Sequence, residues 1–400
     1  MWLAVSLFAL LLWLSAATAL CVGMRRIESL TDVPPAADAD CPSLSVVVPA
    51  CDEAAAMEPA LRSLLALDYP HLELIVVDDR STDGTAAIVE RLAAAHPQLR
   101  LLRVSELPSR WLGKNHALQV GSQAASGDWL LFTDADVVFH PGALRRVMAW
   151  AARRRSEHVV ALPRVVVHGF WERLFVPYFM AMFNLRYRPW KVADRGSPAY
   201  LGVGAFNLVR ADRYRAIGCH AALPLEVADD MKLGKLLKAH GTRSGVVSAA
   251  GWISVRWVVG LRGIVEGLTK NSFAGLEFRL GTVVLSVILQ LVGSVSPSFG
   301  LFAGGPAAVT SGLALACMGL AAAAVAPPES ADGGRQTVFS PGRLTAPRRL
   351  LSALWGLAFP LAALIFAYIL IRSTWLTYRR GGVLWRGTLY PLEELRRGGV

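Results

Sequence analysis

The pattern of hydrophobic and polar positions divides this chain of 400 residues into an apolar start, a mixed middle and an apolar end. Residues 1–20 carry no charged side chain and precede Arg25 and Arg26, which is typical of a membrane-spanning helix with a basic stop. A cleaved signal peptide is the alternative, because small residues near the end of the run resemble a cleavage site, but no basic segment comes before it. We expect a transmembrane anchor over residues 1–24 and a linker over 25–43.

In the middle of the chain, short apolar runs alternate with amphipathic segments. The predicted elements are strands at 44–48, 72–77 and 99–104 and helices at 57–67 and 86–95. Strands that alternate with helices form a parallel, doubly wound sheet. The pattern therefore predicts an α/β domain over residues 44–280, with its ligand at the carboxyl ends of the strands.

The last part of the chain is again apolar over long stretches. Three segments are each long enough to cross a bilayer: 283–302, 307–326 and 351–371. Arginines, which favour the cytoplasmic side, occur both in the loop 329–349 and in the tail after the last segment. Three crossings cannot leave both on that side, so we expect one segment to be re-entrant or interfacial. We assign 281–372 to transmembrane or re-entrant helices and 373–400 to a basic tail.

Composition supports a membrane protein and excludes several other classes. The mean hydropathy is +0.42 and 54% of the residues are hydrophobic, which is too apolar for an ordinary soluble chain. The net charge of +11 comes largely from arginines beside apolar segments, where they face anionic lipid, and no nucleic-acid-binding module is present. The five cysteines are scattered and form neither a disulfide framework nor a zinc motif.

Two carboxylates one residue apart, Asp134 and Asp136, follow the apolar run that begins at Trp129. Acids that end a buried strand must be paired or bound to a metal. Mg²⁺ and Mn²⁺ take one or two carboxylates together with substrate phosphates, so this pair suits a nucleotide diphosphate. A solvated turn is the alternative explanation.

More acids follow the other predicted strands. Asp52 and Glu53 follow the first strand, and Asp78 and Asp79 follow the second. These acids could bind a nucleotide, or they could cap the next helix and interact with its dipole. A further pair, Asp229-Asp230, precedes a predicted helix at 231–239, where capping would account for one acid but not for both.

Four motifs in this order resemble family 2 glycosyltransferases of the GT-A fold. They are residues 46–53, 76–85, 132–136 and 228–234. The resemblance covers roughly residues 44–275, and it implies a GT-A, Rossmann-like, mostly parallel sheet. Within the family the chain is most similar to membrane-anchored enzymes, the hopanoid-biosynthesis-associated glycosyltransferases and, more distantly, the ceramide glucosyltransferases. The former also share the closing segment 382–390.

This resemblance implies an inverting enzyme that moves a single sugar from a nucleotide-sugar, expected to be a UDP-sugar, to a membrane lipid such as a hopanoid or related polyprenoid. It also implies roles for eight residues: Pro49, Glu53, Asp79, Lys114 and Asp134 at the donor, Asp136 and Asp134 at Mg²⁺ or Mn²⁺, and Asp230 as the catalytic base beside Asp229. Asp79 would accept a hydrogen bond from the uracil imide. The protein is expected in the bacterial inner membrane, with several spans and a cytoplasmic catalytic domain.

The chain departs from the family at two places. Asp229 stands where glutamate is common, and the Gln-x-x-Arg-Trp motif of processive relatives is incomplete, since Ile253 precedes Arg256-Trp257. We therefore expect single transfer, and Lys270 is an alternative cation near the diphosphate. A polyprenyl-phosphate acceptor is a second possible activity, and a non-catalytic membrane scaffold that retains the fold is a hypothesis of another class.

Two further segments are ambiguous. The aromatic run 170–183 could form core or an interfacial segment that admits a lipid acceptor. The segment 202–207 contains two glycines but lacks the third glycine of a dinucleotide-binding fingerprint.

Overall fold

The computed structural model describes residues 1–326 and 353–398. In these ranges the strands are β1 Leu44–Ala50, β2 Leu72–Asp79, β3 Leu99–Val104, β4 Trp129–Phe132, β5 Val137–Phe139, β6 His158–Leu162, β7 Arg164–Val165, β8 Asn207–Arg210, β9 Ser244–Ser248, β10 Ile253–Val255, β11 Gly382–Trp385 and β12 Thr388–Pro391. The helices are α1 Trp2–Met24, α2 Ala54–Leu65, α3 Thr85–Ala93, α4 Gly113–Ala124, α5 Ala143–Arg154, α6 Phe170–Tyr187, α7 Ala211–Ala216, α8 Asp229–Ala239, α9 Gly260–Gly275, α10 Leu280–Gln290, α11 Ser296–Gly300, α12 Gly305–Val325, α13 Phe359–Arg380 and α14 Leu392–Arg397.

The central sheet of the described chain has seven strands in the order β3-β2-β1-β4-β8-β6-β9. β1, β2, β3 and β4 are parallel, and β6 is parallel to β9, whereas β8 runs antiparallel to β4 and β6. The predicted GT-A-like α/β fold with a mostly parallel sheet is confirmed. Ala50 pairs with Asp78, so the carboxyl ends of β1 and β2 lie at the same edge of the sheet.

Helices cover both faces of the sheet because its strands are apolar on both sides. Val46 and Val48 of β1 pack in one layer with residues of α2 and α5. Val47, which points the other way, packs with residues of α4 and α8. The predicted helix at 57–67 begins earlier, at Ala54, because the Asp83 carboxylate accepts a hydrogen bond from the Ala54 N–H at 3.1 Å.

Within the described residues, four helices are long and apolar enough to cross a membrane: Trp2–Met24, Leu280–Ala303, Gly305–Val325 and Phe359–Arg380. The predicted membrane helices at both ends of the chain are thus present. The second is broken by a π-helical turn at Leu291–Val295, just before Pro297. The first of these helices packs on the second, where Trp13 donates a hydrogen bond to the Gly293 carbonyl at 3.0 Å. It also packs along the third.

The last apolar helix differs from the predicted segment 351–371. It starts at Phe359, with Pro360 in its first turn, and runs to Arg380. The first residues of the predicted segment and the arginine-bearing loop 329–349 lie outside the described residues. The ring of Phe359 is 5.6 Å from that of Trp13, in the middle of α1, so the start of α13 packs against the middle of the first apolar helix. Whether one segment is re-entrant stays a prediction.

The tail after α13 folds back onto the catalytic domain. Gly381, with φ of +69°, ends the helix, and β11 and β12 form an antiparallel hairpin. Arg386 in the hairpin turn forms an ion pair with Glu53, which follows β1. The basic tail therefore packs against the catalytic domain.

Candidate functional site

A cavity of about 1770 Å³ opens at the carboxyl ends of the strands and continues between the apolar helices. Its lining includes all eight residues that the sequence indicates: Pro49, Glu53, Asp79, Lys114, Asp134, Asp136, Asp229 and Asp230. These side chains come from five separate parts of the chain. The structure therefore brings the predicted residues together in one place.

The loop after β2 is held by acids that follow β1. Oδ1 of Asp52 accepts hydrogen bonds from the Thr82 N–H at 2.7 Å and the Asp83 N–H at 3.3 Å. The Glu53 N–H in turn donates to the Thr85 hydroxyl at 2.8 Å. Asp52 thus stabilises the loop after β2 and does not cap a helix.

Asp79 ends β2 at the wall of the cavity. Its carboxylate is buried, and Arg80 donates to Oδ1 at 2.8 Å and to Oδ2 at 3.1 Å. Gly113 at the start of α4 lies so close that a Cβ there would overlap Oδ2 of Asp79. Asp79 is therefore fixed in position by Arg80 and lines the cavity.

Lys114, the next residue of α4, connects two acidic segments. Its ammonium lies 2.8 Å from Oδ1 of Asp134 and 3.7 Å from Oδ1 of Asp229. Burial lowers the pKa of Lys114, but the charges of Asp134, Asp229 and Asp230 outweigh it and raise that pKa above its usual range. Lys114 is a permanent cation at the centre of the site.

The acid pair after β4 is held by the glycine-containing segment 202–207. The Asp134 N–H donates to the Gly204 carbonyl at 3.0 Å, and the Thr133 hydroxyl donates to the Ala205 carbonyl at 2.8 Å. A Cβ at Gly204 would overlap the Asp134 carboxylate. From the sequence alone, this segment shows only that it lacks a complete dinucleotide-binding fingerprint. In the structure, the absence of a side chain at Gly204 lets the backbone approach the Asp134 carboxylate.

Asp136 lies in the same cavity, close to other carboxylates. Burial, together with the charges of Asp134 and Glu53, raises the pKa of Asp136 to about 6. A carboxylate that is crowded by other acids in this way gains a partner when a cation binds. The environment of Asp136 thus suits a metal ligand.

The second acid pair begins α8. Oδ1 of Asp230 accepts a hydrogen bond from the Met231 N–H at 2.7 Å, and its main-chain carbonyl accepts one from Nδ2 of Asn207 at 3.2 Å. Burial, followed by the charge of Asp229, raises the pKa of Asp230 to about 7. Burial also raises the pKa of Asp229. A carboxylate with such a pKa can exchange protons near neutral pH.

Asn207 is fixed by a hydrogen-bonded chain that sequence reasoning missed. Its Oδ1 lies 2.6 Å from Nε2 of buried His158, whose Nδ1 lies 3.0 Å from the Ser244 hydroxyl. Burial lowers the pKa of His158 to about 4, so this histidine is neutral and structural. The chain holds the start of α8, and with it Asp230, against the end of the sheet.

The predicted metal pair fits a cation that shares its ligands with a substrate. Among the described residues, no three histidine, cysteine, aspartate or glutamate side chains form a complete metal cage. Mg²⁺ and Mn²⁺ do not need one when phosphates and water supply the remaining ligands. Asp134, which lies beside Gly204, and Asp136, which is crowded by the charges of Asp134 and Glu53, match that donor set.

The cavity continues from the acidic site into an apolar arm. Its wall there is made by α1, α6 and the C-terminal helices, with Trp13, Phe179, Met180, Phe183 and Leu289 among the lining residues. In the aromatic run, Phe175 and Tyr178 are fully buried, while Phe170 is 57% exposed. One face of this run forms core, as the first explanation predicts, and other residues of the run line the cavity. That the run admits a lipid acceptor stays a prediction.

Of Arg256 and Trp257, whose role the sequence does not indicate, Trp257 lines this apolar arm. Arg256 forms an ion pair with buried Glu172 of α6 at 3.6 Å. The Trp257 ring lies 4.6 Å from the ring of Phe179. Both residues fasten α6 to the segment before α9.

Comparison with known proteins agrees with this architecture. Residues 45–201 match the family described as Glycosyl transferase family 2. The chain is 24% identical over 364 residues to 4,4'-diaponeurosporenoate glycosyltransferase of Staphylococcus aureus (strain MRSA252), covering 88% of this chain and 89% of that protein. The corresponding enzyme of Staphylococcus haemolyticus (strain JCSC1435) is 26% identical over 266 residues, which cover 65% of this chain and 68% of that protein.

Among solved structures, a mannosyltransferase from Pyrobaculum calidifontis, determined in complex with GDP-Man and Mn²⁺, has the same fold. Its TM-score is 0.50 at 20% sequence identity, and the match covers 91% of this chain and 99% of that one. The chain thus has a GT-A-like fold, and its residues 45–201 match the glycosyltransferase family 2 model.

Proposed function

We propose that this chain, whose residues 45–201 match the glycosyltransferase family 2 model, transfers one sugar from a UDP-sugar to a membrane lipid, with inversion at the anomeric carbon. The observation that carries the proposal is the convergence of Asp79, Lys114, Asp136 and Asp230 in a cavity that continues into an apolar arm. A polar end of this kind suits a nucleotide, and an apolar arm suits a lipid.

The donor lies, in this proposal, along the carboxyl ends of β1, β2 and β4. Asp79 accepts a hydrogen bond from the uracil imide, and its two contacts with Arg80 leave lone pairs of the carboxylate free for that bond. Pro49 and Glu53 line the ribose side of the same end. Lys114 faces the diphosphate, as a fixed cation in contact with Asp134.

Asp136 and Asp134 would hold Mg²⁺ or Mn²⁺. When bound, the metal neutralises the negative charge that develops on the departing UDP. The crowding that raises the pKa of Asp136 supports this assignment, because a divalent cation relieves it.

Asp230 acts as the general base. The acceptor hydroxyl or carboxyl lies between Asp230 and the anomeric carbon, and Asp230 takes the hydroxyl proton as the new bond to the sugar forms. The hydrogen bond from the Met231 N–H fixes the carboxylate, and a pKa near 7 matches the task of a base at neutral pH. Asp229, in contact with Lys114, sets the charge around it.

The acceptor occupies the apolar arm. A single small-molecule site takes roughly 300–1,000 Å³, so a cavity of about 1770 Å³ has room for a donor and a lipid together. The relatives are named for a carotenoid-like lipid acceptor, and a hopanoid or other polyprenoid lipid is our proposal for this chain. The basic tail on the side of the catalytic domain supports a cytoplasmic site at the inner membrane.

Purified full-length protein separates an enzyme from a scaffold that merely retains the fold. The measurement is UDP-sugar hydrolysis, together with binding of UDP in the presence and absence of Mn²⁺. The proposal predicts slow donor hydrolysis and metal-dependent UDP binding. Failure of both would favour a non-catalytic scaffold.

A further inference from the structure

The hairpin formed by β11 and β12 closes the donor end of the cavity. Trp385 pairs with Thr388, so Arg386 and Gly387 form a two-residue turn, with φ of +45° and +79°. Turns with two positive φ values favour Asn, Asp and Gly, and an arginine at the first position is strained. This turn places the Arg386 guanidinium at the mouth of the cavity, where it contacts Glu53. The two residues are 333 positions apart in the sequence.

Three contacts fasten the hairpin over the site. Arg386 donates to Oε1 of Glu53 at 2.6 Å. The ammonium of Lys270 in α9 lies 4.5 Å from the centre of the Trp385 ring, at cation–π distance. Tyr390 of the hairpin packs in one apolar cluster with Leu112, two residues before Lys114.

The cations at this end differ in their partners. Lys114 is neutralised by Asp134 and Asp229, and Arg386 by Glu53. Among the residues that the structure describes, Lys270 has no carboxylate within 4.0 Å and holds only the Trp385 ring. The enclosing walls of the cavity lower the pKa of Lys270, and the charges of Arg386 and Lys114 lower it further. An ammonium in such a position is a binding site for an anion.

We propose that Lys270, Trp385 and Arg386 form a clamp for the diphosphate of the donor. The clamp rests on the proposed function and deepens it, because it adds residues of the C-terminal tail to the donor site. Lys270 contacts the diphosphate directly. Arg386 exchanges Glu53 for a phosphate oxygen, which frees the Glu53 carboxylate for the ribose, and Trp385 holds the Lys270 ammonium in place.

The residues of the incomplete Gln-x-x-Arg-Trp motif do not take part in this clamp. Arg256 forms an ion pair with Glu172, and the Trp257 ring contacts that of Phe179, so both side chains contact residues of α6. A tryptophan and an arginine are nevertheless present at the donor end, as Trp385 and Arg386. The aromatic and cationic contacts come from the tail.

The test is calorimetric titration of full-length protein in detergent, with Mn²⁺ present, using UDP and uridine as probes. We expect Arg386→Ala and Lys270→Ala each to weaken UDP binding about tenfold or more, as the loss of a hydrogen bond to a charged group does. Uridine, which lacks the diphosphate, should lose no affinity in either alanine variant. Arg386→Lys should retain part of the affinity, because it keeps the charge.

Arg397→Ala is the matched control, since Arg397 is an exposed arginine of the same tail that pairs only with Glu393 among the described residues. Unchanged UDP affinity in both alanine variants would overturn the clamp. An equal loss of uridine and UDP affinity would also overturn it, because the hairpin would then only support the fold. Wild-type protein that binds no UDP would instead defeat the proposed function, and the clamp with it.

Discussion

The ammonium of Lys114 lies 2.8 Å from Oδ1 of Asp134, so a cation from α4 and the acid pair after β4 form one unit. The arrangement balances charge at the point where the donor diphosphate and its metal are proposed to sit. It also explains why Lys114 keeps its proton despite burial, since three neighbouring carboxylates stabilise the charged form.

Replacement of Asp136 tests the metal site. We expect Asp136→Ala to abolish metal-dependent UDP binding, because it removes the carboxylate whose environment best suits a cation. Titration with UDP in Mn²⁺ and in EDTA measures this. Asp212→Ala, which removes an exposed acid of α7 paired with Arg210, is the control and should bind like wild type. Metal-dependent binding that survives in Asp136→Ala would refute the assignment.

Replacement of Asp230 separates binding from chemistry. Asp230→Asn preserves the shape of the side chain but removes the base, so UDP should bind as in wild type. Transfer should fall about 10²–10⁴-fold, the usual contribution of general base catalysis. Equal transfer by the variant would remove the base assignment and favour a polyprenyl-phosphate acceptor, which needs little help from a base.

The pH dependence of transfer follows from the same residue. Asp230 is active as a carboxylate, and its pKa of about 7 means that it is half protonated at neutral pH. The value of kcat/KM should therefore rise with pH and level off above about pH 7, with a fall of about tenfold per unit in more acidic solution. A profile that is flat between about pH 5 and pH 8 would argue against Asp230.

Gly204 provides a test of the segment that supports Asp134. A Cβ there would overlap the Asp134 carboxylate, so Gly204→Ala should weaken metal-dependent UDP binding and cost about 1–3 kcal/mol of stability through overpacking. Gly263→Ala in α9 is the matched control, because its Cβ would meet only ordinary contacts. Loss of activity in the control, or normal UDP binding in Gly204→Ala, would contradict this explanation.

Much of the catalytic domain could be predicted from local pattern. The strands β1, β2 and β3 begin at the predicted residues, and β3 has the predicted bounds, because short apolar-rich segments alternate with amphipathic helices along this part of the chain. The convergence of Asp79, Asp134 and Asp136 follows from the rule that carboxyl ends of parallel strands share an edge. The place of Asp230 in the site is predicted from its resemblance to a family motif and not from periodicity.

The rest of the site depends on contacts between distant segments. β8 inserts antiparallel between β4 and β6, yet Asn207–Arg210 is too short for its pattern to indicate a direction. The role of Gly204 emerges only when the backbone approaches Asp134. The ion pair between Glu53 and Arg386 joins segments that are 333 positions apart in the sequence, and no local pattern encodes such a pair.

The most direct test of the central claim compares lipids from cells that lack the protein, cells that make the wild type and cells that make Asp230→Asn, by mass spectrometry. The account predicts an apolar lipid that is heavier by one hexose-sized unit only in cells with the wild-type protein. Identical lipid profiles in all three, or the same glycosylated lipid in cells with Asp230→Asn, would contradict it.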